Sequence, residues 1–371
     1  MARTVFLHVG LAKTGTTYLQ RILDSNRELM RRNGVLYPGT RRADHFKAVL
    51  DLRGTTFQGH TYAGSAGAWQ RLVDEVNRYD GAAVISHETL ARVRRPLLDE
   101  TVAGFDTDDV RVVMTARDLA RQVPAIWQER LKNRSVETYS HFLESVFASE
   151  HGRRKRGLFW EVQDLIGLTT RWGAVVGNGN VTIVTVPASG GDPRELWRRF
   201  ARALELPDVP YDLVVQSRNA SLGVVEAELL RLLNPRLPEL TWPEYEYRIK
   251  HRFAELNLAS YQTAGRLTVP KEWHDDVQRI SEEVIAFLEQ SGCRVVGDLA
   301  DLTPQLREPF TDASAGVDDA VVLDLALRVL GRYAAQPERP EGRRTPRAAR
   351  PGRTGRVAGL IRRAAGRIGR G

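Results

Sequence analysis

Cysteine is almost absent from this 371-residue chain, where Cys293 stands alone. One thiol excludes an intrachain disulfide and any cysteine-based metal centre, a usage that suits a reducing cytosol. Long apolar runs are missing too. No stretch approaches the roughly 20 residues that cross a bilayer, and the first residues lack the charged and apolar succession of a secretory leader. The expectation is a cytoplasmic protein. Charge of one sign is also lacking over most of the chain. The total is +8, yet residues 336–371 hold eleven Arg and two Glu, or +9, which leaves −1 on residues 1–335. The high isoelectric point thus belongs to a tail. The body carries no recognisable nucleic-acid motif, so no specific nucleic-acid partner is expected. The length allows one elaborated domain or two.

What the chain does have is concentrated in residues 4–20. An apolar, β-branched run over 4–9 reads as a buried strand. It stops at Gly10, passes through a loop holding Lys13 and Gly15, and opens a helix at Thr16. Leu19, Ile22, Leu23 and Met30 recur at helical spacing, with Asn26 as a polar interruption. Strand, glycine loop and helix together aim backbone N–H groups and a positive helix end at a phosphate. The spacing is not that of a strict Walker A loop, G-x4-G-K-[ST]. Gly10 and Gly15 keep the x4 interval, but Thr16 stands where the lysine would be, and the loop's lysine, Lys13, lies inside it.

Further along, Gly, Pro, Arg and Thr dominate residues 34–66, an irregular segment beside the loop in which His45 could line an acceptor site. A helix over 68–79 turns Trp69, Leu72, Val73 and Val76 to one side. The strand 82–85 ends in Ser86, His87 and Glu88, and the strand from Val110 ends in Arg117 and Asp118. In open parallel sheets ligands sit beyond the carboxyl ends of strands, which is where Arg117 falls, and its planar fork suits a phosphate. Helices are expected over 138–148 and 158–176, with a basic run at 153–156 between them that reads as a solvated loop or an anion contact. A fourth strand spans 181–186, followed by helices near 193–205, 222–234, 242–256 and 271–291. A boundary at 303–316, an amphipathic helix over 317–335 and a disordered tail from 336 close the chain.

The loop Lys13-Thr14-Gly15-Thr16-Thr17, directly after an N-terminal strand, resembles the 5′-phosphosulfate loop of the P-loop sulfotransferase superfamily. Arg117 and Asp118, with Arg121, Trp127 and Gln128, resemble that family's 3′-phosphate element. Ser86, His87 and Glu88 fall where it carries its catalytic base, and weaker similarity continues through Arg218, Asn219 and Ser221 to about residue 305. The resemblance, to a bacterial member, implies a three-layer α/β P-loop-type fold with a central parallel sheet, in a domain over 1–302, plus helical C-terminal additions and the basic tail.

It also implies sulfuryl transfer from 3′-phosphoadenosine-5′-phosphosulfate, a co-substrate, to a hydroxyl of a carbohydrate, glycolipid or small molecule, with no metal. Lys13, Thr14, Gly15, Thr16, Thr17, Arg117 and Arg218 would bind the donor. By analogy with phosphoryl transfer, catalysis would rest on positioning and electrostatics. Lys13 would neutralise growing charge, and His87 or Glu88 would take the acceptor's proton, His87 having the better ordinary pKa for the task. The family's element usually carries a serine eight residues after its arginine, and here that position is Ala125. Ser217, Arg218 or the 153–156 run would have to compensate.

Three other readings fit parts of the pattern. A small-molecule kinase shares the fold but needs Mg²⁺ ligands, and a Walker B strand ending in aspartate is not evident, because 82–88 ends in Ser-His-Glu and 110–118 in Arg-Asp. A catalytically weakened nucleotide-binding protein would suit Ala125. A polyanion binder could act through the tail, which would bind any polyanion in a salt-dependent way.

The tail's end places Val357, Leu360, Ile361, Ala364 and Ile368 at helical spacing among arginines. Such a segment is expected to touch anionic membrane surfaces, at the inner face of the membrane, with about 1 kcal/mol from each surface arginine. Removing 336–371 should leave folding and activity nearly intact and reduce co-sedimentation with anionic liposomes. Equal co-sedimentation with and without the tail would rule out this contact.

Overall fold

The computed structural model describes residues 2–150, 153–154, 157–214, 221–261, 263, 265–306 and 317–335. Its strands are β1 Thr4–His8, β2 Val35–Leu36, β3 Ala82–Ser86, β4 Val110–Ala116, β5 Val181–Thr185 and β6 Arg294–Val296. They form one sheet in the order β2-β3-β1-β4-β5-β6, and every pairing is parallel. β1 lies between β3 and β4, with His8 opposite Ser86 on one side and Val113 on the other. The three carboxyl ends therefore converge where the chain changes direction across the sheet, the place where such folds take ligands.

Helices cover both faces, as a parallel sheet requires. In chain order they are α1 Thr16–Ser25, α2 Arg27–Arg32, α3 Arg42–Leu52, α4 Ala68–Asn77, α5 Leu97–Ala103, α6 Leu119–Lys132 and α7 Tyr139–Phe147. Then follow α8 Trp160–Gln163, α9 Leu165–Val176, α10 Glu195–Ala203, α11 Val224–Leu233, α12 Trp242–Tyr245, α13 His274–Gln290 and α14 Asp319–Ala334. Alternate strand residues divide between two cores. Val5, Leu7, Ile85 and Val112 face α4, α5 and α9, whereas Phe6, Val84, Val113 and Val184 face α1, α2 and α10. The expected three-layer α/β architecture is thus present. By compactness the chain divides into residues 1–327 and 328–371. None of the described helices is long and apolar enough to cross a membrane.

Four expectations are corrected. Residues 34–66 are not simply irregular, because β2 and α3 lie within them. The carboxylate of Asp44 accepts from the backbone amides of Thr40 and Arg41, both at 2.9 Å, and so starts α3 despite the preceding Pro and Gly. The helix expected over 158–176 breaks at Asp164, whose side chain accepts from the amide of Gly167 and caps α9. Asn26 ends α1, and its side-chain amide donates to the carbonyls of Ile22 and Asp212 while accepting from the amide of Asp212. Residues 246–257 wind as a π-helix rather than extending α12. Of the basic run, Arg153 and Arg154 pair antiparallel with Ser149 and Glu150. Residues 155–156, Ser217, Arg218 and the tail from 336 lie outside the described residues.

Two histidines are sealed in this frame. His8 bonds Ser86 Oγ through Nδ1 at 2.7 Å, and its Nε2 is buried without a partner among the described residues. His45 accepts from the Ser86 amide through Nδ1, and its Nε2 meets the carbonyl of Pro38 at 2.9 Å. Burial above all lowers both pKa values to about 3. In the unfolded chain each returns to its ordinary value near 6.5, so their stabilisation is complete above pH 6.5 and is lost as pH falls toward 3. By pH 5 the two together should cost about 4 kcal/mol of unfolding free energy, a large share of a typical total. Denaturant titrations at pH 7.5, 6 and 5 should show this loss, and His45→Gln should roughly halve the slope. Equal stability at pH 7.5 and 5 would refute it.

Candidate active site

The loop after β1 holds its shape through backbone conformations that favour glycine. Gly10 has φ +61° and Gly15 φ +90°. A Cβ on Gly10 would lie 2.8 Å from Thr16 Cγ2, and one on Gly15 2.5 Å from Leu196 Cδ2. Between them Lys13 adopts φ +69°, a left-handed conformation that costs a lysine on the order of 1–3 kcal/mol. Gly15 supplies no side-chain cap to α1 and the first turn carries no acidic residue, so the amides of Thr16 and Thr17 face outward from a positive helix end.

Thr14 is placed differently from the other loop residues. Its hydroxyl is fully buried and bonds both the Leu11 carbonyl and Thr115 Oγ1 at 2.5 Å, which ties the loop to β4. Only its backbone remains for a ligand. Gln122 of α6 donates to the Ala12 carbonyl at 3.1 Å, and Arg117 Nη1 donates to the Lys13 carbonyl at 3.2 Å. The loop is therefore held from the neighbouring strand and its helix as well as from its own glycines.

Arg117 leaves the carboxyl end of β4 with its Nε buried and unpartnered among the described residues. Burial and the nearby Arg121 lower its pKa to about 10, with Asp118 opposing, so the guanidinium remains charged at neutral pH. Asp118 does not pair with Arg117. It caps α6 by accepting from the Arg121 amide at 3.0 Å and forms an ion pair with the Arg121 side chain. Ala125 lies between Gln122 and Glu129 at spacings of three and four, on the face of α6 turned to the loop.

The β3 end brings His87 and Glu88 beside this loop. The His87 amide donates to the His8 carbonyl at 3.1 Å. His87 Nδ1 accepts from the Thr89 amide and meets Thr89 Oγ1 at 2.7 Å, so the bonding network assigns the proton to Nε2. The ring stacks on Phe46 at 5.1 Å. Burial is the main cause that lowers its pKa, so it is neutral at pH 7. Glu88 Cβ approaches the position a Gly10 Cβ would take to 3.3 Å, and its carboxylate accepts from Gln20 Nε2 at 3.2 Å. Burial would raise the Glu88 pKa, but His87, the residue's own amide, Gln20 and His8 outweigh it and hold the carboxyl below its usual range. His45, expected in a loop near the acceptor, is instead buried on α3 with both nitrogens bonded and carries no free base.

The residues that sequence reading missed form the other side of the mouth. Lys13 Nζ donates to Glu129 Oε2 at 2.6 Å, and Glu129 Oε1 accepts from Lys250 Nζ at 2.8 Å. Lys250 also donates to Asn133 Oδ1 at 2.9 Å. Despite burial, Lys13, Lys250 and Lys132 together hold the Glu129 carboxyl far below the usual carboxylate range. Nothing local in the sequence joins Lys250 to Lys13. A carboxylate four residues after Ala125 on the α6 face was the available signal.

No family model matches the chain, and no curated protein does. A crystal structure of a sulfotransferase from Alicyclobacillus acidocaldarius is similar at 20% identity and a TM-score of 0.34, covering 63% of this chain and 95% of that one. A likeness that slight assigns neither fold nor activity.

Because Glu129 occupies Lys13, an anion entering the loop must exchange with a carboxylate. Glu129→Gln should lower stability at neutral pH by about 1–3 kcal/mol, since Lys13 and Lys250 lose their counter-charge. It should also tighten binding of 3′,5′-adenosine diphosphate roughly three- to tenfold, a modest charge effect. Calorimetry on the two proteins measures the second effect, and weaker binding by the variant would show that Glu129 assists the ligand.

Proposed function

We propose that the protein transfers a sulfuryl group from 3′-phosphoadenosine-5′-phosphosulfate to a hydroxylated acceptor. The observation that carries this reading is the position of Lys13: inside the loop, between two left-handed glycines, with its carbonyl held by Arg117 from the adjacent strand. A lysine after the second glycine reaches forward over a γ-phosphate. One inside the loop stays beside the phosphate at the helix end, where a sulfuryl group would leave.

The amides of Thr16 and Thr17 hold the donor's 5′-phosphate, and Arg117 takes its 3′-phosphate. Arg218 is proposed as a second cation at that phosphate, in place of the serine that Ala125 replaces. The acceptor oxygen attacks sulfur as the bond from sulfur to the bridging oxygen breaks. Charge growing on that oxygen is met by Lys13 once it has left Glu129. The acceptor proton passes to Glu88. His87 is the less suitable base because its Nδ1 lone pair is engaged by Thr89, so we assign it the role of packing between Phe46 and Glu88, while Gln20 Nε2 donates to the ionised carboxylate.

Metal-free binding of 3′,5′-adenosine diphosphate and sulfate transfer to a panel of hydroxylated acceptors test the reading. Glu88→Gln should lower turnover by roughly 10²–10⁴-fold, the scale of a lost general base, with donor binding nearly unchanged. His87→Ala should cost less. With Glu88 held below its ordinary pKa of about 4.3, the rate should stay flat from pH 8 to 5. A phosphoryl product formed from ATP and Mg²⁺ would replace this reading with a kinase, and normal turnover in Glu88→Gln would return the base to His87.

A further inference from the structure

One lysine at the mouth has no counter-charge of its own. Lys132, in the last turn of α6, is 5% exposed and has no hydrogen-bond or ion-pair partner among the described residues. The two carboxylates near it are committed elsewhere: Glu129 to Lys13 and Lys250, and Glu255 to His251 Nδ1 at 2.8 Å. Burial and the neighbouring Lys13 and Lys250 lower its pKa, which Glu129 and Glu255 only partly offset. A mostly buried side chain whose ammonium has only unbonded carboxylates nearby can donate a charge-assisted hydrogen bond to an anion.

A wall of rings reaches the same end of the site. Phe46 packs edge-on against Phe57 at 5.5 Å and Tyr62 at 5.3 Å, and Phe57 meets Trp242 at 5.2 Å. Trp242 Nε1 donates to the Tyr62 hydroxyl at 2.8 Å. Phe46 also stacks on His87, which joins the wall to Glu88. The segment that carries Phe57 reaches the lysine end directly, through Gln58 Nε2 donating to the Asn133 carbonyl at 3.2 Å. Lys250 lies within electrostatic reach of Tyr62. Phe46, Phe57 and Tyr62 are half-buried, so the wall keeps an open side.

We propose that this is the acceptor subsite, and that it takes a hydroxylated ring bearing an anionic group, with the ring against Phe46, Phe57 and Tyr62 and the anion on Lys132. The inference rests on the sulfuryl-transfer reading for the identity of the second substrate. A ring gains contact area and stacking from such a wall, and a carboxylate, phosphate or sulfate on it gains a charge-assisted hydrogen bond. Lys132 lies a turn beyond Glu129, within electrostatic reach of both Lys13 and Lys250. An anion preference measured with 3′,5′-adenosine diphosphate, which has no sulfuryl group, separates the acceptor from the donor as the source of the anion.

The probes are 4-hydroxyphenylacetate and 4-methylphenol, which share a phenol and differ in the carboxylate. With 3′,5′-adenosine diphosphate present, calorimetry on the full chain should give at least tenfold tighter binding of the acid, the scale of one hydrogen bond between charged groups. Lys132→Met should erase that preference and leave nucleotide affinity unchanged, while Lys132→Arg should retain it. Removal of an unpaired charge should also let Lys132→Met unfold no earlier than the parent. Should methionine disturb the packing, Lys132→Gln repeats the comparison. Failure of the acid to bind, equal affinity for both phenols, or loss of nucleotide affinity with the acid preference intact would overturn the proposal. Binding is read apart from turnover. Absence of sulfate transfer would defeat the functional reading while leaving the anion preference to stand or fall by itself.

Discussion

The parallel register of β1 with both neighbours is the constraint from which the rest of the site follows. Pairing His8 with Ser86 and with Val113 puts the ends of β1 and β3 level and lets β4 run on to Ala116 beside them. The loop, the Glu88 turn and Arg117 each begin within a few residues of those ends. A slip of one residue in β1 would turn Val5 and Leu7 into the layer occupied by Phe6 and break both cores at once. The hydrophobic pattern of five residues thus sets the positions of the polar groups to within a hydrogen bond. Thr14 and Thr115 then lock the loop onto β4 with a buried contact that contributes rigidity instead of ligand binding.

Much of this was legible because it is local. The strand at 4–9, the Gly10–Gly15 interval and the helix from Thr16 occupy consecutive residues and obey known periodicities. The runs at 82–85, 110–116 and 181–186 are mostly apolar, broken only by Arg111 and three threonines, as befits strands covered on both faces. What could not be read was α3, where a capping carboxylate overrides a Gly/Pro-rich approach, and the two-residue β2, too short to carry a period. The short β6 belongs to the same class. It completes the sheet through pairing with β5 rather than through any pattern of its own.

The candidate site was half legible for a related reason. Loop and strand-end residues announce themselves by spacing, whereas the Glu129 cluster is assembled from residues 13, 129, 132 and 250, and only tertiary structure joins them. The π-helix matters here. Its wider turn carries Lys250 to Glu129 from a segment that reads in sequence as ordinary amphipathic helix. His87 shows a different limit. Its ordinary pKa recommends it as a base, but the proton on a histidine follows its hydrogen bonds, and here the Thr89 amide claims the nitrogen that would receive it.

The charges around the loop describe a site prepared for anions and held closed by its own carboxylate. Lys13 and Lys250 pair with Glu129, and Glu255 and Glu246 lie within electrostatic reach of Lys250. Lys132 has Glu129 and Glu255 nearby but bonds neither. Replacing Glu129 by an apolar residue would take from Lys13 its ion-pair partner. One carboxylate shared by two lysines, with a third left without a direct partner, keeps the empty state folded while leaving an ammonium available to an anion. The left-handed Lys13 fits the same logic, because its conformational cost is borne in the free protein and need not be met again on binding. Strain at Lys13 and incomplete pairing at Lys132 are thus two expressions of one requirement, a rigid site that keeps cations ready for its ligands.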